Sequence, residues 1–221
     1  MERPRALFIL EGASGSRRRE LAAALPSDGF IVILGMPSQY RERNKLLTPD
    51  SQVALGDVDL NYGRALNLSA PEGQDLMQRC ISVASIQYTE AVRLMNEGNI
   101  VFLESSSIRL ANLCYMASQI ALKKDVDEVS RVANEMAKKA MKAVTLENTV
   151  TGFVLMTDIY KRATEEGRTS MTGLDEMESI NLQRTIAEIH FGRGFPICPL
   201  DPNTLSLEDQ RQTVRLFTTK P

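Results

Sequence analysis

The chain has 221 residues, of which 43% are hydrophobic and 24% are charged, and its formal net charge is −2. This length suits a single domain with a full hydrophobic core, which we expect to span residues 1–221. The charge argues against nonspecific nucleic-acid binding, and no apolar run reaches the length of a membrane span. No signal-peptide core is recognisable and the three cysteines are widely spaced, so we predict a cytoplasmic protein with free thiols.

Five short apolar runs have the length of buried parallel strands. They are Ala6–Leu10, Phe30–Leu34, Ile100–Leu103, Phe153–Met156 and Phe195–Cys198. Helical patterns lie between them. The alternation predicts an α/β fold with a five-stranded parallel sheet and helices on both of its faces.

The helices are predicted from start and stop signals. A first helix is predicted to begin at Arg19. A long helix follows the capping box that begins at Ser69, and this helix ends near Gly98. Others are expected over 125–144 and 174–190, and a last short helix after Ser206. The polar segment 36–68 lacks a clear period, so we predict a long irregular loop on the substrate side of the protein.

The turn after the first apolar run has the frame of a phosphate-binding loop. Such a loop reads Gly, four residues, then Gly-Lys-Ser/Thr between a strand and a helix. Counting from Gly12, the last three positions are Arg17, Arg18 and Arg19. A side chain at the second Gly obstructs the backbone approach to phosphate, arginine is larger and planar where lysine is compact, and a guanidinium cannot ligate Mg²⁺. These replacements argue against Mg-ATP bound in the usual way.

Three cations at a helix start oppose the helix dipole and need an explanation. One interpretation is an anion site for a phosphate without metal, a nucleotide or an acidic partner. The other is a solvated basic helix start in which Glu20 offsets one arginine. The candidate residues of the anion site are Gly12, Gly15, Ser16, Arg17, Arg18 and Arg19.

Four segments in the same order along the chain carry a resemblance to a known enzyme family. They are Phe8–Gly12, Leu94–Ser106, Val154–Asp158, and Ile197–Asp201 with the helix after it. On these segments the chain resembles the thymidylate kinase branch of the P-loop nucleoside and nucleotide kinases. The resemblance implies a three-layer kinase-like fold, a lid-like segment at 160–175, and a homodimer formed through helices near 77–95 and 107–122.

The resemblance also implies roles for individual residues. Glu104 stands where the family has the acid of an Asp-Arg pair, while Ser105 replaces the arginine. Arg79 lies one turn before the place of an arginine that binds the monophosphate. Arg162 and Arg168 fall in the lid-like segment, where arginines stabilise a phosphoryl group in transfer. Each residue also has a plainer interpretation: a carboxylate at a strand end for Glu104, and solvated helix arginines for the others.

Two functions follow from this resemblance. The first is a catalytically degenerate kinase-like protein with a binding, regulatory or structural role, which keeps a phosphate or nucleotide site and binds an unidentified protein partner. The second is an active nucleotide kinase, with ATP and Mg²⁺ as cofactors, in which Arg18 replaces the lysine, Glu104 recruits the metal, and Arg162 or Arg168 acts from the lid. A third interpretation, an anion- or nucleic-acid-binding protein, would show steep salt dependence. The simultaneous loss of the loop lysine, the metal ligand and a phosphate arginine favours the first.

Overall fold

The computed structural model describes residues 5–12, 16–35, 70–104, 150–157 and 196–219. In chain order these residues form β1 (Ala6–Gly12), α1 (Arg18–Ala24), a 3₁₀ helix (Leu25–Asp28), β2 (Ile31–Ile33), α2 (Ala70–Asn96), β3 (Ile100–Glu104), β4 (Gly152–Met156), β5 (Ile197–Leu200) and α3 (Leu207–Thr218). The predicted segments 36–68, 107–122, 125–144, 160–175 and 174–190 lie outside the described residues.

The chain divides into two compact units. The first comprises Met1–Ile33, Ala91–Glu104 and Asn148–Pro221, and it contains all five described strands together with α1 and α3. The second comprises Leu34–Glu90 and Ser105–Glu147, and its described part is mainly the longer portion of α2. The single domain expected over residues 1–221 stays a prediction.

The five strands form one parallel sheet in the order β2-β3-β1-β4-β5. The predicted α/β fold with a five-stranded parallel sheet is therefore confirmed. The first strand runs two residues beyond its predicted end, because Glu11 and Gly12 still pair with Leu155 and Met156 of β4. The prediction ended at Leu10 because it followed the apolar run, which stops before Glu11.

Successive connections leave the centre of the sheet in opposite directions. From β1 the chain passes β3 to reach β2, whereas from β3 it passes β1 to reach β4. This is the arrangement of a three-layer α/β fold, and it puts the change of direction between β1 and β3.

The central strand β1 is buried at all seven positions, as expected for the central strand of a parallel sheet with a neighbouring strand on each side. Three ring contacts fix one face of the core. Phe8 stacks on Phe102 of β3 at a centroid distance of 5.3 Å and contacts Phe217 of α3 at 5.5 Å. Phe30 meets the edge of Phe102 at 5.2 Å. Aromatic pairs of this kind add about 0.5–1.5 kcal/mol each to the energy of burial.

The helix ends follow from local chemistry. At Ala24 α1 passes into the 3₁₀ helix: Leu25 keeps helical dihedral angles (φ −58°, ψ −33°), but Pro26 has no amide N–H to continue the α-helical hydrogen bonds. α3 begins after Ser206, whose hydroxyl accepts from the Asp209 amide while the Asp209 carboxylate accepts from the Ser206 amide. The predicted helix start at this position is confirmed, and the reciprocal bonds satisfy two donors that a helix start otherwise leaves open.

Two cysteines lie in the described part of the chain. Cys80 on α2 and Cys198 on β5 are buried and not joined in a disulfide, as predicted, and Cys114 lies outside the described residues. Of the helices that the structure describes, none combines the length and the apolar character that crossing a membrane requires.

Candidate functional site

The predicted phosphate loop leaves the sheet at the change of direction between β1 and β3. Gly12 is the last residue of β1, Glu104 is the last residue of β3, and Leu10 is paired with Glu104 across the two strands. α1 begins at Arg18, six residues after Gly12. Open parallel sheets bind their ligands at this kind of place, in the crevice outside the carboxyl ends of the strands. The position alone makes this the candidate functional site.

A buried ion pair occupies the site. Arg18 Nε donates to Glu104 Oε1 at 2.6 Å, and a terminal nitrogen of the same guanidinium donates to the Gly12 carbonyl oxygen. The Arg18 side chain is 10% exposed and the Glu104 side chain is 0% exposed. Because both charges are withdrawn from water, each needs the other, and the positive charge of Arg18 is compensated inside the protein.

Close packing surrounds Gly12. A Cβ atom on Gly12 would lie 2.6 Å from Met156 Cβ and 2.6 Å from Ser16 Oγ, so only glycine fits between β4 and the end of the loop. Ser16 is 1% exposed, and its hydroxyl has no hydrogen-bond partner within the part of the chain that the structure describes. The loop therefore returns tightly onto the sheet before α1 begins.

Arg17 holds the backbone conformation that the loop motif gives to glycine. Its φ is 61° and its ψ is 11°, in the left-handed region that residues with a side chain avoid. The cost for a residue with a Cβ is about 1–2 kcal/mol. The guanidinium pairs with Glu20 one turn later, with Nε 2.8 Å from Glu20 Oε2. The sequence did not show which arginine has its charge offset by Glu20, and the structure identifies it as Arg17.

An ATP–Mg²⁺ complex does not fit this set of side chains. In the predicted phosphate-loop alignment, Arg17 stands where the backbone would approach phosphate, and Arg19 stands where a hydroxyl would ligate the metal. Arg18 and Glu104, the remaining candidates for phosphate and metal, are bonded to each other. In the described ranges no group of three or more His, Cys, Asp or Glu side chains is placed to hold a metal ion.

One further predicted site residue lies in the described part of the chain, in the second unit. Arg79 on α2 forms an ion pair with Asp75, four residues earlier, with 2.7 Å between Nε and Oδ2. Both side chains are exposed, at 39% and 60%, so the pair is solvated. Gly15, Arg162 and Arg168 lie outside the described residues.

A second group of charged side chains was missed by the sequence reasoning. We call it the Asp28 cluster: Ser27, Asp28, Glu208, Arg211 and Arg215. Arg211 binds the Asp28 carboxylate with two nitrogens, at 2.9 and 2.7 Å, and Arg215 donates to the same carboxylate. The partners are more than 180 residues apart in sequence, so the cluster ties the 3₁₀ helix to α3.

Titration in the Asp28 cluster follows from these contacts. The hydrogen bonds from Arg211 hold the pKa of Asp28 below its ordinary value, with Arg215 acting in the same direction against the opposing effect of desolvation. Asp28 in turn raises the pKa of Arg211. The sequence signal was slight: two arginines one turn apart on the last helix, and an aspartate before Gly29.

No family model matches this chain, and no curated protein matches it significantly. The resemblance to thymidylate kinases therefore stays a prediction that rests on the sequence segments themselves.

Proposed function

We propose that this chain is a catalytically silent protein of the thymidylate kinase type, with a binding or regulatory role in place of phosphoryl transfer. The parallel sheet, the glycine at the end of β1 and the helix that starts six residues later support the kinase-like frame. The three arginines at the catalytic end of the loop support the loss of transfer. In this proposal the protein keeps the backbone arrangement of a kinase site but lacks the side chains that phosphoryl transfer needs.

The observation that carries the proposal is the ion pair between Arg18 and Glu104. Phosphoryl transfer depends on cations and metal ions that are placed to stabilise charge on the transferred group. Here the cation at the lysine position donates to a carboxylate and to a carbonyl of its own loop. A nucleotide phosphate that approached that arginine would meet a guanidinium already bonded to a buried carboxylate at 2.6 Å, which compensates its charge.

The resemblance extends the proposal to assembly. A homodimer formed through 77–95 and 107–122 would give the protein a binding role that needs no turnover, and an unidentified protein partner is proposed beside it. We place this function in the cytoplasm. Sedimentation of the full chain tests the dimer: a species of twice the chain mass supports it, and a monomer at micromolar concentration contradicts it.

A phosphoryl-transfer assay tests the loss of catalysis. The full chain is incubated with ATP, Mg²⁺ and each nucleoside monophosphate, and nucleoside diphosphate is measured by chromatography. We expect no product above a reaction without protein. Product that disappears in both Arg18→Ala and Glu104→Gln would overturn the proposal, because a silent protein has no turnover to lose.

One observation favours an active kinase as the second candidate. Arg18 and Glu104, the two residues that such an enzyme would use for phosphate and for Mg²⁺, lie together at the crevice where parallel sheets bind ligands. In that case Arg18 would have to release Glu104 when substrate binds, and Arg162 or Arg168 would act from the lid-like segment. The same assay decides between the two candidates.

A further inference from the structure

We propose that Ser27 is a site of phosphorylation, and that Arg211 and Arg215 bind the phosphate group once it is attached. The proposal is independent of the phosphate loop and goes beyond the proposed function. It rests on the geometry of the Asp28 cluster.

The hydroxyl of Ser27 already lies against a guanidinium. Ser27 is an exposed residue of the 3₁₀ helix, and its Oγ donates to the Ala24 carbonyl oxygen at 2.7 Å. The same oxygen accepts from a terminal nitrogen of Arg211 at 2.8 Å. A phosphate attached here would carry three acceptor oxygens to within reach of that guanidinium without movement of the backbone.

Arg215 has donors to spare. A guanidinium carries five N–H donors, and within the described ranges the Arg215 side chain uses one nitrogen, on Asp28 Oδ1. The side chain is 48% exposed, so its remaining donors face water. If Arg215 turned to the phosphate, Asp28 would keep both hydrogen bonds from Arg211. The cluster can therefore take up an anion without leaving its buried carboxylate alone.

The local charges favour the bound anion. Asp28 and Glu208 balance Arg211 and Arg215 in the unmodified protein, so the phosphate adds a charge of about −1.5 to −2. Glu208 is 65% exposed and its repulsion is screened by water. Asp28 is covered by both guanidinium groups, and its lowered pKa reports a positive potential at this place. Charge-assisted bonds from two arginines then outweigh the repulsion.

The covalent step needs a protein serine kinase and a nucleoside triphosphate. Ser27 Oγ attacks the γ-phosphorus, the bond from that phosphorus to the β–γ bridging oxygen breaks, and nucleoside diphosphate leaves. The hydroxyl proton passes to the base of the kinase. The product is phosphoserine on the 3₁₀ helix, bound by two side chains of α3, so the modification strengthens the attachment of the last helix.

The first experiment places phosphoserine at position 27 of the full chain by genetic encoding and compares its melting temperature with that of the unmodified protein. We expect a rise of about 2–4 °C at low salt, as one or two charge-assisted hydrogen bonds give in a protein of this size. The same pair is made with Arg215→Gln, where most of the rise should disappear. Phosphoserine at Ser85, an exposed residue of α2, is the matched control and should give no rise.

Phosphorus NMR gives a readout that a purely structural role of Ser27 would not move. Two arginines should lower the second pKa of the phosphate below its ordinary value of about 6, and Arg215→Gln should restore it. An unshifted phosphate pKa, a lower melting temperature, or a rise that survives Arg215→Gln would each overturn the binding by Arg215.

The modification itself is tested on the folded full chain. It is incubated with ATP and a kinase that prefers an acidic residue after the serine, and the phosphate is located by mass spectrometry. Phosphate on Ser27, absent from Ser27→Ala, supports the proposal. Modification elsewhere with Ser27 untouched contradicts it.

Discussion

Two groups of arginine and carboxylate side chains in the described structure use the same chemistry for different ends. In the first, Arg18 holds Glu104 at the ends of β1 and β3. In the second, Arg211 and Arg215 hold Asp28 at the side of α3. The carboxylate side chain is fully covered in both. The groups differ in the exposure of their arginines, which is 10% for Arg18, 20% for Arg211 and 48% for Arg215.

This difference decides what each group can do. Arg18 is enclosed and donates to Glu104 and to the loop carbonyl, and in our proposal this pair closes the predicted phosphate site. The arginines of the Asp28 cluster face water on one side, so the cluster fastens α3 and still offers donors to a further anion. Burial of the cation, more than the identity of the residues, separates a closed site from an open one.

The largest effect is expected from breaking the buried pair. Arg18→Met leaves Glu104 as a buried charge without its arginine, and it should lower the free energy of unfolding by about 3–5 kcal/mol. The double variant Arg18→Met, Glu104→Met removes both charges and should recover much of that loss. Urea unfolding followed by circular dichroism measures both variants. A single variant that costs less than the double one would contradict the account.

The next effect concerns the space around the pair. Gly12→Ala puts a methyl group 2.6 Å from both Met156 Cβ and Ser16 Oγ, and such overpacking costs about 1–3 kcal/mol. Gly29→Ala is the matched control: among the described residues, no atom beyond its chain neighbours lies within 4 Å of its added Cβ, but its φ is +84°, so it carries only the backbone strain of about 1–2 kcal/mol. In thermal unfolding, Gly12→Ala should have a lower melting temperature than Gly29→Ala. Equal losses would show that the loop has room to relax.

The contribution of the Asp28 cluster to the free energy of unfolding should depend on pH. Because the folded-state pKa of Asp28 is lowered, its contribution to stability is full above the unfolded pKa of about 3.9 and is lost as the pH falls through the folded value. Asp28→Asn should therefore destabilise the protein at pH 7, and the gap to the wild type should narrow below about pH 4. Urea unfolding at several pH values follows the gap. A gap that stays constant down to pH 3 would mean that the ionised carboxylate is not what fastens α3.

The smallest effect is expected at Arg17, and its sign is informative. Arg17→Gly relieves the left-handed backbone conformation and loses an exposed pair with Glu20, so it should stabilise the protein by about 1 kcal/mol. Arg17→Ala keeps the strain and loses the pair, so it should be neutral or slightly destabilising. Melting temperatures measure both. Stabilisation by alanine equal to that by glycine would show that the side chain, and not φ, is the source of strain.

The sequence predicted the sheet well because the signals are local. Five apolar runs of strand length were enough to indicate five parallel strands, and the capping residues of α3 fixed its start. The ends of β1 were less certain, because Glu11 is polar and yet paired in the sheet. Local sequence patterns therefore predicted which strands and helices form, whereas the pairing between strands determined where β1 ends.

Only part of the candidate site could be predicted from the sequence. The loop frame and Arg18 were identified from spacing, and Glu104 from the resemblance to thymidylate kinases. Their bond was not predicted, since the two residues are 86 positions apart and meet only through the pairing of β1 with β3. The motif marks position 17 as a glycine site, and the structure keeps the glycine-like φ with an arginine in place. The Asp28 cluster had only a slight sequence signal, because Asp28 and Arg211 belong to opposite ends of the chain.

Calorimetric titration of the full chain with ATP, with and without Mg²⁺, tests most directly the claim that the Arg18–Glu104 pair closes the phosphate site. A ligand that binds the native state also raises the melting temperature by mass action, which gives an independent check on the same samples. The account predicts no binding heat and no thermal shift at millimolar ATP under either condition. Saturable binding of one ATP per chain that requires Mg²⁺ and is lost in Arg18→Ala would contradict it.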